Sequence, residues 1–312
     1  MNENAKKTRN SILLVITAAI WGLAFVAQSV GGKEAGAFTF NGIRSILGGI
    51  VLIPYILVTD RMAMKKAGNN SDNSELKDKK DRKTLIIGGI LCGIFLCLAG
   101  NFQQVGLLYT SAGKAGFLTS CYILLVPVAG IFLKKKCPAK IWGCIIAALV
   151  GLYYLCLAGN EDFAINSGDV MVIIAAVFFT FHILVIDYFS PKVDGVKMSC
   201  IQFFVCGIIT CILMFIFEKP QPDVLMSVIY PLLYAGVLSC GVAYTLQIIG
   251  QRGLNPALAS LIMSLEAVIS AIGGFIILGE KMTKYEMIGC VLIFGAVIVA
   301  QLPPLKKHKS CC

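Results

Sequence analysis

The sequence predicts an all-α integral membrane protein: ten transmembrane helices arranged as two inverted five-helix repeats (5+5). Three observations carry that prediction. Ten stretches of about 20 mostly apolar residues run through the 312-residue chain, each long enough to cross a hydrocarbon core of about 30 Å as a helix rising 1.5 Å per residue. Lysine and arginine collect in alternate gaps between these stretches. The second half also echoes the first in order and spacing. Hydrophobic residues make up 57% of the chain and charged residues 14%, against about 25% charged in a soluble domain.

The first stretch, 11–30, is full length and carries Trp21 at depth. Its outer flank, Gly31-Gly32-Lys33-Glu34, lacks the small-x-small pattern of a cleaved signal peptide. The second, 37–58, contains Asn41, Arg44 and Pro54. A mixed-charge stretch, 59–83, with Asn69-Asn70-Ser71-Asp72-Asn73-Ser74 at its centre, reads as a flexible cytoplasmic loop. The third span, 84–108, has a Gly89-x-x-x-Gly93 packing pair and then Asn101, Gln103 and Gln104. The fourth, 112–132, carries Lys114 near its start and contains Pro127, and the fifth covers 140–158. In the second half the spans are 168–188 with His182 and Asp187, 197–217, 228–249 with Tyr244 and Gln247, 257–278 with Glu266, and 284–302. Most of the connections are short, so successive helices pack antiparallel.

The net charge of +10 follows from topology and not from a nucleic-acid footprint. If the N-terminus is cytoplasmic, only Lys33, Lys219, Lys281 and Lys284 of the 27 cations fall outside; Arg44 and Lys114 lie within spans. That bias sets a multi-pass protein in the plasma (inner) membrane with both termini cytoplasmic.

Gly93, Cys97 and Gln104 recur as Gly236, Cys240 and Gln247 at a shift of 143, and Gly143-Cys144 recurs as Gly289-Cys290 at 146. The chain therefore divides into a first repeat over 1–158 and a second over 159–312. Because five is odd, the second copy enters the membrane from the opposite side. Inverted repeats are typical of secondary transporters, whose sites lie near the midplane.

Polar residues within the spans are the candidate site. A charge at a helix centre costs about 2.5–3.5 kcal/mol on insertion scales, so it faces protein or a water-filled cavity. Asn41, Arg44, Ser45 and Gly48 share a helical face, and Arg44 either attracts an anionic solute group or bonds carbonyls structurally. Glu266 either titrates as a proton-coupling site or pairs permanently with Arg44 or Lys114. Lys114, near the outer surface, can instead snorkel.

Asn101 and Gln104 share one face while Gln103 points elsewhere; in span 8 Tyr244, Gln247 and Gln251 share another. These amides line a pathway or bond neighbouring helices. Trp21 stacks on a ligand or packs, and His182 relays protons or sits as a satisfied buried imidazole.

Enzyme and metal chemistry find no support. There is no P-loop, His-Glu-x-x-His, Gly-x-Ser-x-Gly or Cys-x-x-Cys. The 13 cysteines mostly lie in spans as small packing residues; Cys311 and Cys312, after a basic tail, are free cytoplasmic thiols or lipidation sites.

The chain resembles the drug/metabolite transporter superfamily, of the EamA type, over roughly residues 11–302. The residues that carry the resemblance are Ile20-Trp21-Gly22-Leu23-Ala24-Phe25-Val26, Asn41-Gly42-Ile43-Arg44, Tyr109-Thr110-Ser111-Ala112, Ser264-Leu265-Glu266-Ala267 and Leu278-Gly279-Glu280-Lys281. Val268 stands where the family often has proline, and Thr180 where it often has tryptophan. The resemblance implies ten helices in inverted repeats and a central cavity worked by alternating access. Spans 3, 4, 8 and 9 would form the scaffold, with 1, 2, 6 and 7 rocking around it.

The function so expected is a secondary transporter of a small polar metabolite, an amino acid or related solute, with export as one direction. No cofactor is implied, proton coupling is an option, and the oligomeric state is open. Two alternatives stand beside it: a membrane-embedded enzyme acting on a lipid-linked substrate, and a non-transporting sensor or assembly partner.

Overall fold

The structure, a computed structural model, describes residues 3–67, 75–110, 112–158, 165–277 and 282–302. Among these are ten helices long and apolar enough to cross a membrane, and no strand. Spans 1–3 are the helices Glu3–Ala35, Ala37–Ala67 and Glu75–Gly106. Spans 5, 6, 7 and 10 are Ala139–Cys156, Ser167–Phe189, Gly195–Phe217 and Lys284–Gln301.

Helix starts are set by local chemistry. Asn166 and Asp169 form a capping box at span 6, and Thr283 and Glu286 form another at span 10. Asp194 accepts from Val196 N and Lys197 N at the start of span 7. Asn255 Oδ1 accepts from Ala257 N at 2.9 Å at the start of span 9, with Pro256 as the first helical residue. The start of span 2 receives its cap from a distant residue. Glu218, at the end of span 7, accepts from Phe38 N at 3.0 Å, Thr39 N at 2.7 Å and Thr39 Oγ1 at 2.7 Å. A carboxylate there meets the positive end of the helix dipole.

Four places differ from the simplest reading of the sequence. The stretch 59–83, expected as a flexible loop, is helical at both edges, since spans 2 and 3 run on to Ala67 and back to Glu75. Arg61, Met62 and Ala63 are good helix formers, so water-exposed turns continue beyond the apolar limit. The motif Asn69–Ser74, residues Leu278–Lys281 and Cys311–Cys312 lie outside the described residues. Span 4 is two helices, Ala112–Ser120 and Tyr122–Phe132, interrupted at Cys121. Span 9 is likewise Pro256–Met263 and Leu265–Ile277, interrupted at Ser264. At both breaks the ladder tightens: Leu124 N donates to Cys121 O and Ala267 N to Ser264 O, each an i to i−3 bond. Span 8 passes from a short helix, Ile229–Leu233, through a π segment, Tyr234–Ala243, to the helix Tyr244–Gln251. Thr17 Oγ1, from span 1, reaches Ala243 O at 3.1 Å where the π segment ends.

The spans pack in definite pairs: 2 with 7, 5 with 10, 3 with 6 and 7, 8 with 1 and 2, 1 with 9, and 4 with 6 and 9. Lipid gives no hydrophobic drive between helices, so close fit decides the association. Spans 5 and 10 touch through backbone at two glycines. A Cβ on Gly151 would lie 3.0 Å from Gly289 O, and one on Gly289 only 2.6 Å from Gly151 O. At Gly22 the same holds for spans 1 and 9, where a Cβ would stand 2.6 Å from Glu266 O. Large apolar side chains such as Phe132, Phe215 and Tyr230 point outward, as a protein dissolved in hydrocarbon requires.

Candidate functional site

A cavity of about 40 Å³ lies where spans 1, 2, 3, 4, 6, 8 and 9 converge. Of the residues named from the sequence, Trp21, Arg44, His182, Tyr244, Gln247 and Glu266 line it; Asn41, Asn101, Gln104 and Lys114 do not.

Arg44 is 6% exposed and has no salt-bridge partner among the described residues. Its Nε donates to Asn41 Oδ1 at 2.9 Å, and the residue lines the cavity. Asn41 is itself held. Its Nδ2 donates to Asn101 Oδ1 at 2.7 Å, and Asn101 Nδ2 donates to Thr210 Oγ1 at 2.9 Å. The face shared by Asn41 and Arg44 thus makes a relay that runs from the cavity through spans 3 and 7. Asn101 stands behind the arginine in that relay.

Glu266 is 4% exposed and accepts from Tyr122 Oη at 3.2 Å across spans 4 and 9. Each partner follows closely on its helix interruption, Tyr122 one residue after Cys121 and Glu266 two after Ser264. A permanent ion pair of Glu266 with Arg44 or Lys114, one of the two readings of that residue, is not among the salt bridges of the described residues. Lys114 Nζ instead lies 2.6 Å from Asp169 Oδ2, and Thr110 Oγ1 donates to Asp169 Oδ1 at 2.7 Å. That cluster ties the start of span 4 to the start of span 6, away from the cavity.

Aromatic rings make one wall. Trp21 and Tyr244 pack with centroids 4.6 Å apart, and His182 meets Tyr244 edge-on at 6.0 Å. His182 Nε2 bonds Gln202 Oε1 at 3.1 Å. With the amide oxygen as acceptor, Nε2 carries the proton and Nδ1 is an acceptor. Trp21 Nε1, Gln28 Oε1, His182 Nδ1 and Gln247 Oε1 are buried at the cavity without a protein hydrogen-bond partner. One cation, one acid, one N–H donor and three acceptors therefore face a common space lined by rings, a pattern that suits a small polar ligand.

Gln103 and Gln104 exchange the roles that helix faces suggest. Gln103 reaches the cavity and donates to Thr119 Oγ1 at 3.0 Å, whereas Gln104 is pinned to span 1 through Gln28 O at 2.8 Å. Gly32 permits that approach, since a Cβ there would stand 1.9 Å from Gln104 Nε2. Tyr122 was not singled out by its own sequence; the 143-residue shift puts it opposite Leu265, the neighbour of Glu266, and that was the available signal. Each water needs at least about 10–15 Å³ of such space, so the cavity in this conformation has room for only a few waters.

A model of the EamA-like transporter family matches residues 9–157 and 166–301. An uncharacterized transporter of Archaeoglobus fulgidus is 28% identical over 302 residues, covering 96% of this chain and 88% of its own. The uncharacterized transporter YoaV of Bacillus subtilis is 22% identical, with 90% and 92% covered. A crystal structure of a protein 17% identical to this one superposes at a TM-score of 0.71 over 94% of this chain and 96% of that one, a likeness of fold.

Proposed function

The chain belongs to the EamA-like transporter family, a membrane transporter and not an enzyme, and from that premise we propose that it moves a small polar metabolite bearing an anionic group. An amino acid or related solute fits best. The carrying observation is Arg44, a buried guanidinium on the cavity wall with no carboxylate to neutralise it among the described residues. A charge so placed is costly unless a partner completes it, and an anionic solute is such a partner.

Alternating access between two inverted five-helix repeats is the proposed mechanism. The pairing of spans supports the repeat. Exchanging span n with span n+5 turns the contacts 3–7, 1–9 and 3–6 into 8–2, 6–4 and 8–1, and returns 2–7, 4–9 and 5–10 to themselves; every one of these pairs is packed. The matched interruptions at Cys121 and Ser264, 143 residues apart, support it further. Midplane sites with broken helices are common where repeats rock around a solute. A cavity too small for a metabolite must widen to load one, and interrupted spans supply places where it can. Ten spans bring both termini to one side, which the lysine and arginine bias assigns to the cytoplasm of a plasma-membrane protein.

In this reading Arg44 binds the anionic group, Asn41 and Asn101 hold Arg44, and Trp21, Tyr244, Gln247 and His182 face the remainder of the solute. Glu266 receives the cationic end or the coupling proton.

A thermal-stabilisation screen of the purified protein against metabolite pools identifies the solute, because binding to the folded state raises its apparent stability. Uptake and efflux of that solute are then followed in sealed proteoliposomes, with export tested first. Movement down its gradient that Arg44→Ala abolishes is the expected result. If nothing moves, or if Arg44→Ala transports as the parent does, the proposal fails.

A further inference from the structure

A second concavity, of about 650 Å³, lies on the outer face of the bundle between spans 3, 4 and 6, and the central site does not use it. Its walls are apolar: Leu125, Val128 and Phe132 from span 4 face Phe181, Leu184 and Tyr188 from span 6. Phe95 of span 3, stacked on Phe181 with centroids 5.5 Å apart, closes the back. Phe132 is 83% exposed and Tyr188 58%, so the groove opens sideways to the lipid.

The end of this groove is basic and held in place. Spans 4 and 6 finish on the same side, and their ends are joined by the Lys135–Asp187 salt bridge. Lys134, Lys135 and Lys136 follow directly on Phe132 and Leu133, and Lys192 follows on Tyr188 and Phe189. Lys192 Nζ stands 3.1 Å above the centre of the Tyr188 ring, which is part of the groove wall. Asp187 therefore neutralises one lysine of four. Lys134 has φ 56°, a left-handed conformation that costs a side chain about 1–2 kcal/mol and usually falls to glycine at a helix end. The loop is also anchored from its other side, since Asn255 Nδ2 donates to Lys136 O at 2.9 Å. Lys134 and Lys136 thus sit on an anchored loop that directly follows the groove residues Phe132 and Leu133, and Lys192 stands over the groove's Tyr188, so three lysines without a salt bridge among the described residues collect at this end of the groove.

We propose that this groove is a binding site for an anionic phospholipid of the leaflet on the lysine-bearing side. One acyl chain lies between spans 4 and 6, and the phosphate headgroup is held by Lys134, Lys136 and Lys192. Charge complementarity chooses the occupant. The walls would accept the chain of any phospholipid, but a zwitterionic headgroup leaves the three lysines without net compensation. Basic pockets between membrane helices recognise anionic headgroups by this pairing. The back of the groove is also the back of the transport cavity. In span 6, Phe179, His182 and Ile183 face the cavity while Val177, Phe181 and Leu184 face the groove; in span 4, Thr119 and Tyr122 face one and Leu125 and Val128 the other. A lipid seated there braces the two helices that separate cavity from bilayer.

The test uses the full chain purified from mixed phosphatidylglycerol and phosphatidylcholine vesicles, with retained lipid measured by native mass spectrometry. One phosphatidylglycerol per protein, retained in preference to phosphatidylcholine, is expected. A lysine near an anionic lipid contributes about fivefold in affinity, so the triple variant Lys134→Gln, Lys136→Gln, Lys192→Gln should lose roughly a hundredfold. Ala129→Trp, which fills the groove and leaves every lysine in place, should lose the lipid as well. Equal retention of the two lipids, or undiminished phosphatidylglycerol on the triple lysine variant, overturns the proposal. So does glycerol phosphate competing as well as the intact lipid, which would reduce the site to its headgroup contacts. A lipid-free dimer would assign the groove to a second copy of the chain and equally overturn it. None of these outcomes depends on the solute or on transport.

Discussion

The relay behind Arg44 yields the sharpest prediction. Asn41→Ala removes the acceptor of Arg44 Nε, a bond of 2.9 Å, and leaves the guanidinium free to swing away from the cavity. A hydrogen bond to a charged group is worth about 1.5–3 kcal/mol. At 1.4 kcal/mol per factor of ten, full loss would weaken solute affinity by about 10- to 150-fold. The effect must pass through the arginine, so it must vanish with it: in an Arg44→Gln background, Asn41→Ala should change affinity by less than about twofold, the usual margin of additivity. Solute binding to the purified protein across this double-mutant cycle, read as thermal stabilisation by the anionic solute and by its neutral amide, gives the readout. The loss should fall on the anion and spare the amide. Equal losses in both backgrounds, or for both solutes, would show that Asn41 acts by general packing and would refute the relay.

Packing between spans 5 and 10 should be equally sensitive. Gly289→Val places a side chain against Gly151 O, where even a Cβ would sit at 2.6 Å, and overpacking of this kind costs about 1–3 kcal/mol; an unchanged melting temperature in detergent would contradict the contact. Lys114→Gln should destabilise the protein by about 3 kcal/mol, the low end for a broken buried pair, because Asp169 keeps its bonds from Thr110 and Asn166. Adding Asp169→Asn should restore most of the loss, and an additive double variant would count against the pairing. Glu266→Gln is expected to retain downhill exchange and lose accumulation driven by a pH gradient; accumulation at the parent's level would remove Glu266 from coupling.

Apolar length made the ten spans legible, since no soluble segment competes for that pattern. The membrane penalty on charge also drew attention to Arg44 and Glu266, and depth alone to Trp21 and His182. Orientation was harder to read. Successive residues on a helix differ by 100°, so Asn101 and Gln104 clearly share a face, but nothing local says that this face turns inward to Asn41 and Gln28 while Gln103 meets the cavity. A helix surrounded by protein and lipid lacks the polar-to-apolar gradient that orients a soluble one. The interruptions at Cys121 and Ser264 carry no proline or glycine at the break and were invisible one at a time. The Lys114–Asp169 pair spans 55 residues of sequence, and only the packing of span 4 on span 6 brings its members together.

The π segment in span 8 has a consequence for how the chain tolerates length. Each wide turn holds more residues than the 3.6 of an α turn, so Tyr244 and Gln247 come round to the cavity only because the preceding stretch is under-twisted. Span 8 therefore counts residues as well as choosing them. A point substitution within 234–243 leaves that count intact, whereas deleting one residue would let the stretch relax towards α and rotate everything after it by about 100°. Tyr244 would leave Trp21, and Gln247 would leave the cavity, with every side chain of the site still present in the sequence. Among relatives, gaps falling in this segment would mark proteins whose eighth span presents a different face to the solute, however well the individual residues align.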